Sequence, residues 1–403
     1  MSFQQGLSGL NAASKSLDAI SNNISNSDTA GFKSADARFA DVFAASLSGG
    51  GGSQIGVGVG LDSVFQKFTQ GNITTTGNPL DLAINGQGMF RLSENGSVTY
   101  SRNGQFNVDK TGYIVSGSGS RLTGYNVDTT GAIVPGSFTD LQVDTSNIAP
   151  AASTSTKVLL SLDSRQPAIP ALPAFDPTIT ATYTASTAQT VYDSLGNPHN
   201  MTMYFAKGGP GVYNMYTSLD SSTPVGPTAL NFNSLGALTT SMPVNQSFAL
   251  ANGAVSPLAY TLDLTGTTQY GIDFGVNQLT QDGYTSGRLT GINVGTDGVL
   301  QGRYSNGKTQ NLGQVVLVSF NNPNGLQQLG NNQWAESSDS GQPIPGTPGQ
   351  GSLGAIQSGA VEESNTDLTA ELVNMITQQR AYQANAQSIK TQDSVLQTLV
   401  NLR

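Results

Sequence analysis

The chain has 403 residues, a formal net charge of −9 at pH 7 and only 17 Lys and Arg residues, which argues against a nucleic-acid partner because phosphate binding needs clustered cations. It has no cysteine and one histidine, so thiolate and histidine-cluster metal sites are excluded, and no metal or other cofactor is expected. A 37% hydrophobic share is enough for real cores, and 48 glycines with only 11% charged residues predict many short strands and turns.

The N-terminal segment is predicted to be a helix with a coiled-coil seam. Its large apolar residues follow a seven-residue repeat, with Ala13 and Ile20 beside them. No basic stretch precedes an apolar core, so we expect no cleaved secretory signal, and no apolar run is long enough for a membrane-spanning helix. The predicted seam residues are Phe3, Leu7, Leu10, Leu17 and Ile24.

The middle of the chain is predicted to be antiparallel β structure in nested, discontinuous domains. Residues 48–60 are Gly-rich and are predicted to be a flexible connector. Dipeptides typical of hairpin turns recur beyond it, and residues 148–284 are poorest in charge, with a Pro-rich stretch near their start. The predicted turns are Asn95-Gly96, Asn103-Gly104, Thr111-Gly112, Thr130-Gly131, Leu195-Gly196, Asp297-Gly298 and Asn306-Gly307.

One stretch matches a nucleotide-binding pattern, but its context favours a hairpin. Residues 302–309, "GRYSNGKT", fit the phosphate-loop consensus, yet a strand-like segment follows where a phosphate loop needs a helix. Asn306-Gly307 is also a favoured two-residue hairpin turn. The only histidine, His199, lies in a turn-like "GNPHN" context with no nucleophile motif nearby. We therefore expect a protein that is not an enzyme, with a phosphate-loop ATPase as a remote alternative.

The C-terminal segment is predicted to be a long helix. Asn365, Thr366 and Asp367 are candidate N-caps, and apolar residues then alternate at spacings of four and three. Residues 365–403 hold six charges among many Gln and Asn side chains, which can be buried at a lower desolvation cost than ions. The predicted seam residues are Leu368, Leu372, Met375, Tyr382, Ile389, Leu396 and Val400.

Neither end can bury its apolar stripe alone, so the two helices are predicted to pair with each other. Their uncharged outer faces favour packing on several sides in an assembly, and the alternative is a terminal helical hairpin on a monomer. The fold class is therefore α+β, mainly β. The predicted domains are 1–30 with 365–403 (helical), 31–70 with 355–364 (connector or hinge), 71–147 with 285–354 (inner β) and 148–284 (outer β).

Three motifs in the same order resemble those of the flagellar rod and hook family of axial proteins. The first is "NNISNSDTAGFK", with Ile24 and Ser25 replacing the commoner Leu and Ala; the second is "GNPLDLAINGQGMFRL", with Met89 where an aromatic is usual. The third is "GAVEESNTDLTAELVNMITQQRAYQANAQSIKTQDSVLQTLVNL". The resemblance spans both ends and the flanking β body. The signature-turn positions are Asn22, Asn23, Asn26, Thr29, Gly31, Phe32 and Lys33.

The resemblance implies a structural subunit of a bacterial flagellum. The length and the large insertion resemble the hook members of the family rather than the shorter rod proteins. This implies a curved, flexible, extracellular tube that acts as a universal joint between rod and filament, exported by the flagellar type III apparatus. The implied partners are other copies of the chain, the distal rod protein, the hook–filament junction protein, the hook cap and the export apparatus, with no membrane insertion. A distal rod subunit and a non-flagellar secreted β protein remain alternatives.

Overall fold

Two helices occupy the ends of the chain. The computed structural model describes residues 2–42, 56, 58–94, 96–128, 130–170, 172 and 174–401, with side chains of the last helix described as far as Thr398. Helix α1 spans Ser2–Ser25 and helix α2 spans Leu368–Asn401. Within the described residues, neither helix is apolar over a length that could cross a membrane.

The chain forms two compact units. The first unit comprises Met1–Thr145, Gly291–Arg303 and Thr309–Arg403, and the second comprises Ser146–Thr290 and Tyr304–Lys308. The chain therefore leaves the first unit, builds the second and returns.

The strands before the second unit run as follows. They are β1 (Ala35–Val42), β2 (Gly58–Gln66), β3 (Ile73–Thr75), β4 (Leu82–Asn85), β5 (Met89–Glu94), β6 (Ser97–Ser101), β7 (Phe106–Val108), β8 (Ile114–Ser116), β9 (Arg121–Val127) and β10 (Ile133–Asp140). The predicted connector at 48–60 lies largely outside the described residues, and its last three residues begin β2. Strands β1 and β2 form an antiparallel hairpin that contacts α1.

The second unit contains nine strands and a short 3₁₀ turn at Thr180–Thr182. They are β11 (Ser155–Asp163), β12 (Ala185–Tyr192), β13 (Pro198–Gly209), β14 (Val212–Leu219), β15 (Val225–Asn231), β16 (Val244–Phe248), β17 (Leu258–Asp263), β18 (Thr268–Tyr270) and β19 (Gly275–Gln281). Strands β12 to β15 form an antiparallel sheet in sequence order, and the other five form a second sheet.

The returning strands complete the first unit, with a 3₁₀ turn at Pro323–Gly325. They are β20 (Leu289–Val294), β21 (Val299–Tyr304), β22 (Thr309–Val315), β23 (Leu317–Ser319), β24 (Gln327–Gly330), β25 (Gln333–Ala335), β26 (Ile344–Gly346), β27 (Ala355–Ser358) and β28 (Ala360–Glu362). Early strands pair with late ones: β3 with β28, β4 with β27, β5 with β23, β6 with β25 and β9 with β22.

The core of the second unit lies between its two sheets. Alternate residues of β13 (Met201, Met203 and Phe205) pack with residues of β11 and β17, and the central ones are fully buried. The prediction of purely antiparallel pairing is wrong here, because β11 runs parallel to both β17 and β18. Parallel neighbours need a long crossover, which the intervening strands of the second unit supply.

The hairpins mostly use one kind of loop. At five predicted turns, the loop is closed by two backbone hydrogen bonds. The N–H of the residue three positions before the glycine donates to the carbonyl oxygen of the residue after the glycine, and the glycine N–H donates to the carbonyl oxygen of that earlier residue. This is a three-residue loop whose glycine has positive φ, between 78° and 88°. The predicted two-residue turn at Asn306-Gly307 is therefore wrong, because Tyr304 pairs with Lys308. The five glycines are Gly112, Gly131, Gly196, Gly298 and Gly307.

The other two predicted turns differ. No hairpin forms at Asn103-Gly104, because β7 pairs with β8 and not with β6. The glycine there serves close packing instead: a Cβ on Gly104 would lie 1.7 Å from the carbonyl oxygen of Leu82. At Asn95-Gly96, Asn95 lies outside the described residues.

Candidate assembly interface and ion-pair junction

Helices α1 and α2 pack against each other in antiparallel orientation. A Cβ on Gly6 would lie 3.0 Å from Ile389, and one on Gly9 would lie 2.9 Å from the Asn385 amide. At the opposite end of α1, Asn23 donates from Nδ2 to Oε1 of Glu371 at 3.0 Å. In these contacts the residue number increases along α1 while that of its partner on α2 decreases, as expected for antiparallel helices. Gly6 and Gly9 allow the two backbones to come close.

The buried line of α1 differs from the predicted seam. It consists of Gly6, Ala13 and Ile20, a seven-residue repeat set three residues away from the predicted one, followed by Asn23 one helical turn beyond Ile20. Small residues occupy its first half because they let the partner helix approach, whereas large side chains there would hold the helices apart. The predicted repeat of large residues therefore flanks the contact.

Half of the twelve predicted assembly residues are exposed in the single chain. Exposed are Phe3, Leu7, Leu368, Leu372, Tyr382 and Leu396, and partly buried are Leu10, Leu17, Ile24, Met375 and Ile389. Val400 belongs to α2, but its side chain lies outside the described residues.

One part of α2 presents a group of exposed apolar side chains, here called the α2 patch: Leu368, Leu372, Val373 and Ile376. Leu368, Leu372 and Ile376 are four residues apart and Val373 lies three residues before Ile376, which places these side chains on one side of the helix. All four are exposed, and Val373 and Ile376 are more than half exposed. Sequence analysis missed these last two, because a strict seven-residue seam assigns no role to the positions beside it.

The signature turn begins where α1 ends. Asn26 donates from Nδ2 to the carbonyl oxygen of Asn22 at 2.9 Å, and Thr29 Oγ1 donates to Oδ1 of Asn26 at 3.2 Å. The N–H of Phe32 then donates to the carbonyl oxygen of Thr29. These side chains thus take over backbone bonding as the helix stops.

Asn23 joins three segments through one buried side chain. Its Oδ1 accepts from the N–H of Ala35 at 2.9 Å, and its Nδ2 donates to the carbonyl oxygen of the same residue at 2.9 Å. The third bond is the one to Glu371. Asn23 therefore fixes the end of α1 against both β1 and the first turn of α2.

Gly31 and Phe32 occupy positions that few other residues could take. Gly31 has φ of +71°, and a Cβ there would lie 2.5 Å from the backbone nitrogen of Asn103. Its N–H donates to the carbonyl oxygen of Glu362 at 2.8 Å. Phe32 is buried. The turn is thus fastened to two distant parts of the chain.

A buried group of three charged side chains, Lys33, Arg102 and Glu362, forms what is here called the junction. Lys33 Nζ lies 2.6 Å from Oε1 of Glu362, and Arg102 NH1 lies 3.2 Å from Oε2 of the same carboxylate. The side chains of Lys33 and Glu362 are completely buried, and that of Arg102 is 5% exposed. The junction joins one residue from each of three separate stretches of the chain.

Hydrogen bonds satisfy the other polar atoms of the junction. Lys33 also donates to the carbonyl oxygen of Thr69 at 2.7 Å, and Arg102 NH2 donates to that of Gly86 at 2.7 Å. The N–H of Gly71 donates to Oε1 of Glu362 at 2.9 Å. Such bonding is what makes a buried ion pair tolerable.

Burial dominates the electrostatics of the two cations. It lowers the pKa of the Lys33 ammonium, although Glu362 partly counteracts this. Burial likewise lowers the pKa of Arg102, again opposed by Glu362. One carboxylate therefore stabilises two positive charges that have left water.

Helix α2 begins just beyond the junction. Asp367 is its N-cap: Oδ1 accepts from the N–H groups of Thr369 at 2.9 Å and Ala370 at 3.1 Å. Asn365, also a cap candidate from the sequence, instead accepts from the N–H of Ser34 and donates to the carbonyl oxygen of Lys67 at 2.6 Å. The segment just before α2 is thus tied to the residue before β1 and the residue after β2.

Sequence reasoning missed three charged residues that are central to this region: Arg102, Glu362 and Glu371. The last two lie within the quoted C-terminal motif, and the available signal was the scarcity of charge in the chain. A pairing between residues 33 and 362 leaves no local periodicity, so no pattern of spacing could reveal it.

The phosphate-loop match lies in a hairpin. Residues 302–309 span the end of β21, the loop and the start of β22, so no helix follows to supply an anion-binding N-terminus. Among the described residues, no group of three His, Cys, Asp or Glu side chains is arranged to hold a metal ion.

Family models of flagellar axial proteins match four successive parts of the chain. The "Flagella basal body rod protein" model matches residues 3–33, and the "Flagellar hook protein FlgE/F/G D1 domain" model matches residues 83–148. The "Flagellar basal body protein FlaE D2 domain" model matches residues 161–284, and the "Flagellar basal body rod FlgEFG protein C-terminal" model matches residues 357–402. These matches define the class that rod and hook proteins share.

Full-length relatives show which family within this class the chain resembles. The chain is 42% identical to the flagellar hook protein FlgE of Escherichia coli K12 over 413 residues, covering all of both chains. It is 31% identical to that of Borreliella burgdorferi, covering all of this chain and 99% of the relative. The chain belongs to the flagellar hook protein family.

A solved structure shares the fold. The crystal structure of Helicobacter pylori flagellar hook protein FlgE2 matches with a TM-score of 0.53 at 14% identity, covering 70% of this chain and 99% of that one. The mainly β fold with terminal helices is therefore that of a hook protein.

Proposed function

We propose that the chain self-assembles into the flagellar hook, a curved and flexible tube that transmits torque from rod to filament. The α2 patch is the observation that carries the proposal. Large apolar side chains on a terminal helix stay exposed although that helix already packs against α1. Burial of such a side chain contributes about 1.5–3 kcal/mol, so covering the patch with other copies would favour a polymer.

The domain division follows from the same idea. The helices at 1–30 and 365–403 form the core of the tube, and 31–70 with 355–364 connect them to an inner β domain at 71–147 and 285–354. The segment 148–284 forms an outer β domain. The compactness of the second unit supports this division, since its boundaries at Ser146 and Thr290 lie close to those of the proposed outer domain.

Bending would use the outer domains. They slide over their neighbours through mostly uncharged surfaces, while the helices hold the tube together. Few ionic contacts leave few fixed registers to break when the tube bends. The junction supports this mechanism, because its buried ion pairs fix the region between helices and sheets within each subunit.

The remaining partners follow from a place between rod and filament. We propose contacts with the distal rod protein at one end of the tube, with the hook–filament junction protein at the other, and with the hook cap during growth. Export by the flagellar type III apparatus, without a cleaved signal, would deliver the chain to the growing end.

Electron microscopy of the purified chain under polymerising conditions tests the proposal. The expected result is a long, curved tube of uniform diameter. A straight and stiff polymer would favour a rod subunit. A monomer or a small closed oligomer under all polymerising conditions would overturn the proposal.

A further inference from the structure

The only histidine of the chain lies between two carboxylates in the second unit. Its ring nitrogen Nδ1 is 2.5 Å from Oδ2 of Asp220, and Nε2 is 3.2 Å from Oδ2 of Asp193. The side chain of His199 is 10% exposed. Within the described residues, these two carboxylates are the only charged groups that form ion pairs with the ring.

The cluster fastens three connections at one end of the second unit. Asp193 follows β12, Asp220 follows β14, and His199 lies in β13 between them. Asn252, in the connection between β16 and β17, donates from Nδ2 to Oδ2 of Asp193 at 2.7 Å. The cluster therefore joins the two sheets of the unit.

The geometry requires a charged ring. A carboxylate only accepts hydrogen bonds, and a neutral imidazole has a single N–H. Only the imidazolium form can donate to Asp193 and Asp220 at the same time. Loss of one proton therefore sets a ring lone pair against one of the two carboxylates.

Asp193 would keep its place without the proton. It is fully buried, and its Oδ1 accepts from the N–H groups of Leu195 and Asn197, both at 2.9 Å. Its Oδ2 accepts from the side-chain amides of Asn197 and Asn252. Four donors other than His199 thus hold this carboxylate.

Asp220 is held less firmly. Its side chain is 51% exposed, and its one other donor among the described residues is the N–H of Asn200, at 2.7 Å. Asp220 and Ser221 have φ of +46° and +61°, a region that side chains other than glycine seldom adopt. The bond from His199 helps to hold this strained backbone in place.

We propose that His199 is a proton-operated latch. The protonated ring holds the connection between β14 and β15 in place through its bond to Asp220, and loss of the proton breaks that bond. This property of the second unit is independent of the proposed function. Burial opposes the charged ring, but bonds and charges of Asp220 and Asp193 outweigh burial and raise the pKa of His199.

The direction of the pH effect follows from that raised pKa. The latch stabilises the folded unit fully below the ordinary histidine pKa, about 6.5. Its contribution is lost as the pH rises through the higher value of the folded chain. Release is therefore expected at a pH above the ordinary histidine pKa.

Nuclear magnetic resonance of the full-length chain with ¹³C-labelled histidine reads the latch directly, because one histidine gives one Cε1–H signal. The expected midpoint lies above about 6.5. Hydrogen exchange of residues 219–223, corrected for the intrinsic effect of pH, should accelerate severalfold above that midpoint. A midpoint at or below 6.5, or a raised midpoint with unchanged exchange, would overturn the proposal.

Two variants sharpen the test. Asp220→Asn should move the midpoint down, because one of the two anions is gone. Asp128→Asn is the matched control: Asp128 caps a hairpin loop of the first unit through the N–H groups of Thr130 and Ala132. It should leave the midpoint unchanged. Equal midpoints in wild type and Asp220→Asn would refute the latch, and if that variant fails to fold, the wild-type titration and exchange decide alone.

Discussion

Replacing Glu362 by glutamine removes the only anion of the junction. The neutral amide keeps the shape of the side chain but leaves Lys33 and Arg102 as buried cations without a counter-charge. Removing one partner of a buried ion pair costs about 3–5 kcal/mol, because an uncompensated charge stays behind. We expect a loss of that size in the free energy of unfolding of the first unit.

A second variant separates charge from packing. Lys33→Met removes one cation, and Glu362 keeps both its bond to Arg102 and the N–H of Gly71. Its cost should stay below that of Glu362→Gln. The surface variant Asp36→Asn is the control: its pair with Lys67 is about half exposed, so its loss should cost at most about 1 kcal/mol.

Fluorescence of Trp334 during urea unfolding measures these differences. It is the only tryptophan of the chain, it is buried in the first unit, and its Nε1 donates to Oε1 of Gln66 at 2.8 Å. The second unit contains no tryptophan, so it does not contribute to this signal.

The pH dependence gives an independent signature. The pKa of buried Lys33 is already lowered, and removing Glu362 should lower it further. The unfolded chain then binds more protons than the folded one, so the deficit of Glu362→Gln should shrink as the pH rises toward about 10.4, the ordinary lysine pKa. A cost of less than about 1 kcal/mol for Glu362→Gln, or one no greater than that of Lys33→Met, would refute the role given to the junction.

Three further outcomes are expected. Gly31→Ala should lower the free energy of unfolding, measured with urea, by about 1–3 kcal/mol or more, because the new Cβ would meet the backbone of Asn103. Gly119 also has positive φ but has open space around it, so Gly119→Ala should cost less. Equal costs would contradict the packing argument. The pKa of Asp163, lowered to about 2 chiefly by its hydrogen bond with a neighbouring arginine, predicts that stability falls as the pH drops below about 4, and a melting temperature that stays constant from pH 5 to pH 2 would contradict this. Deleting 148–284 should leave tubes of altered curvature or stiffness under the electron microscope, and complete loss of assembly would count against the proposed division of labour.

Local patterns in the sequence account for much of the fold. The 3.5-residue spacing predicts both terminal helices, and glycines such as Gly112 and Gly131 mark hairpin loops because the positive φ of those loops is costly for other residues. The face by which α1 meets α2 was not predictable in this way. Large apolar residues dominate a periodicity analysis, yet the closest approach to α2 is made through Gly6 and Gly9.

Pairing between segments that lie far apart in the chain could not be predicted from the sequence. The parallel alignment of β11 with β17 joins segments about a hundred residues apart, and nothing in either strand specifies its partner. The same holds for the junction, where Glu362 bonds to Lys33, near the start of the chain, and to Arg102, about a quarter of the way along it. Their importance follows from burial and charge, which only the folded structure makes visible.

The α2 patch provides the most direct test of the central claim. Ile376→Asp places a charge on the exposed apolar surface, and Ser388→Asp places the same charge at an exposed polar position of the same helix. Because both sites are exposed in the single chain, urea unfolding of the monomer should be unchanged in both variants. In sedimentation and electron microscopy, Ile376→Asp should stay monomeric while Ser388→Asp builds tubes like the wild type. Normal tubes from Ile376→Asp would contradict the claim that this surface drives assembly.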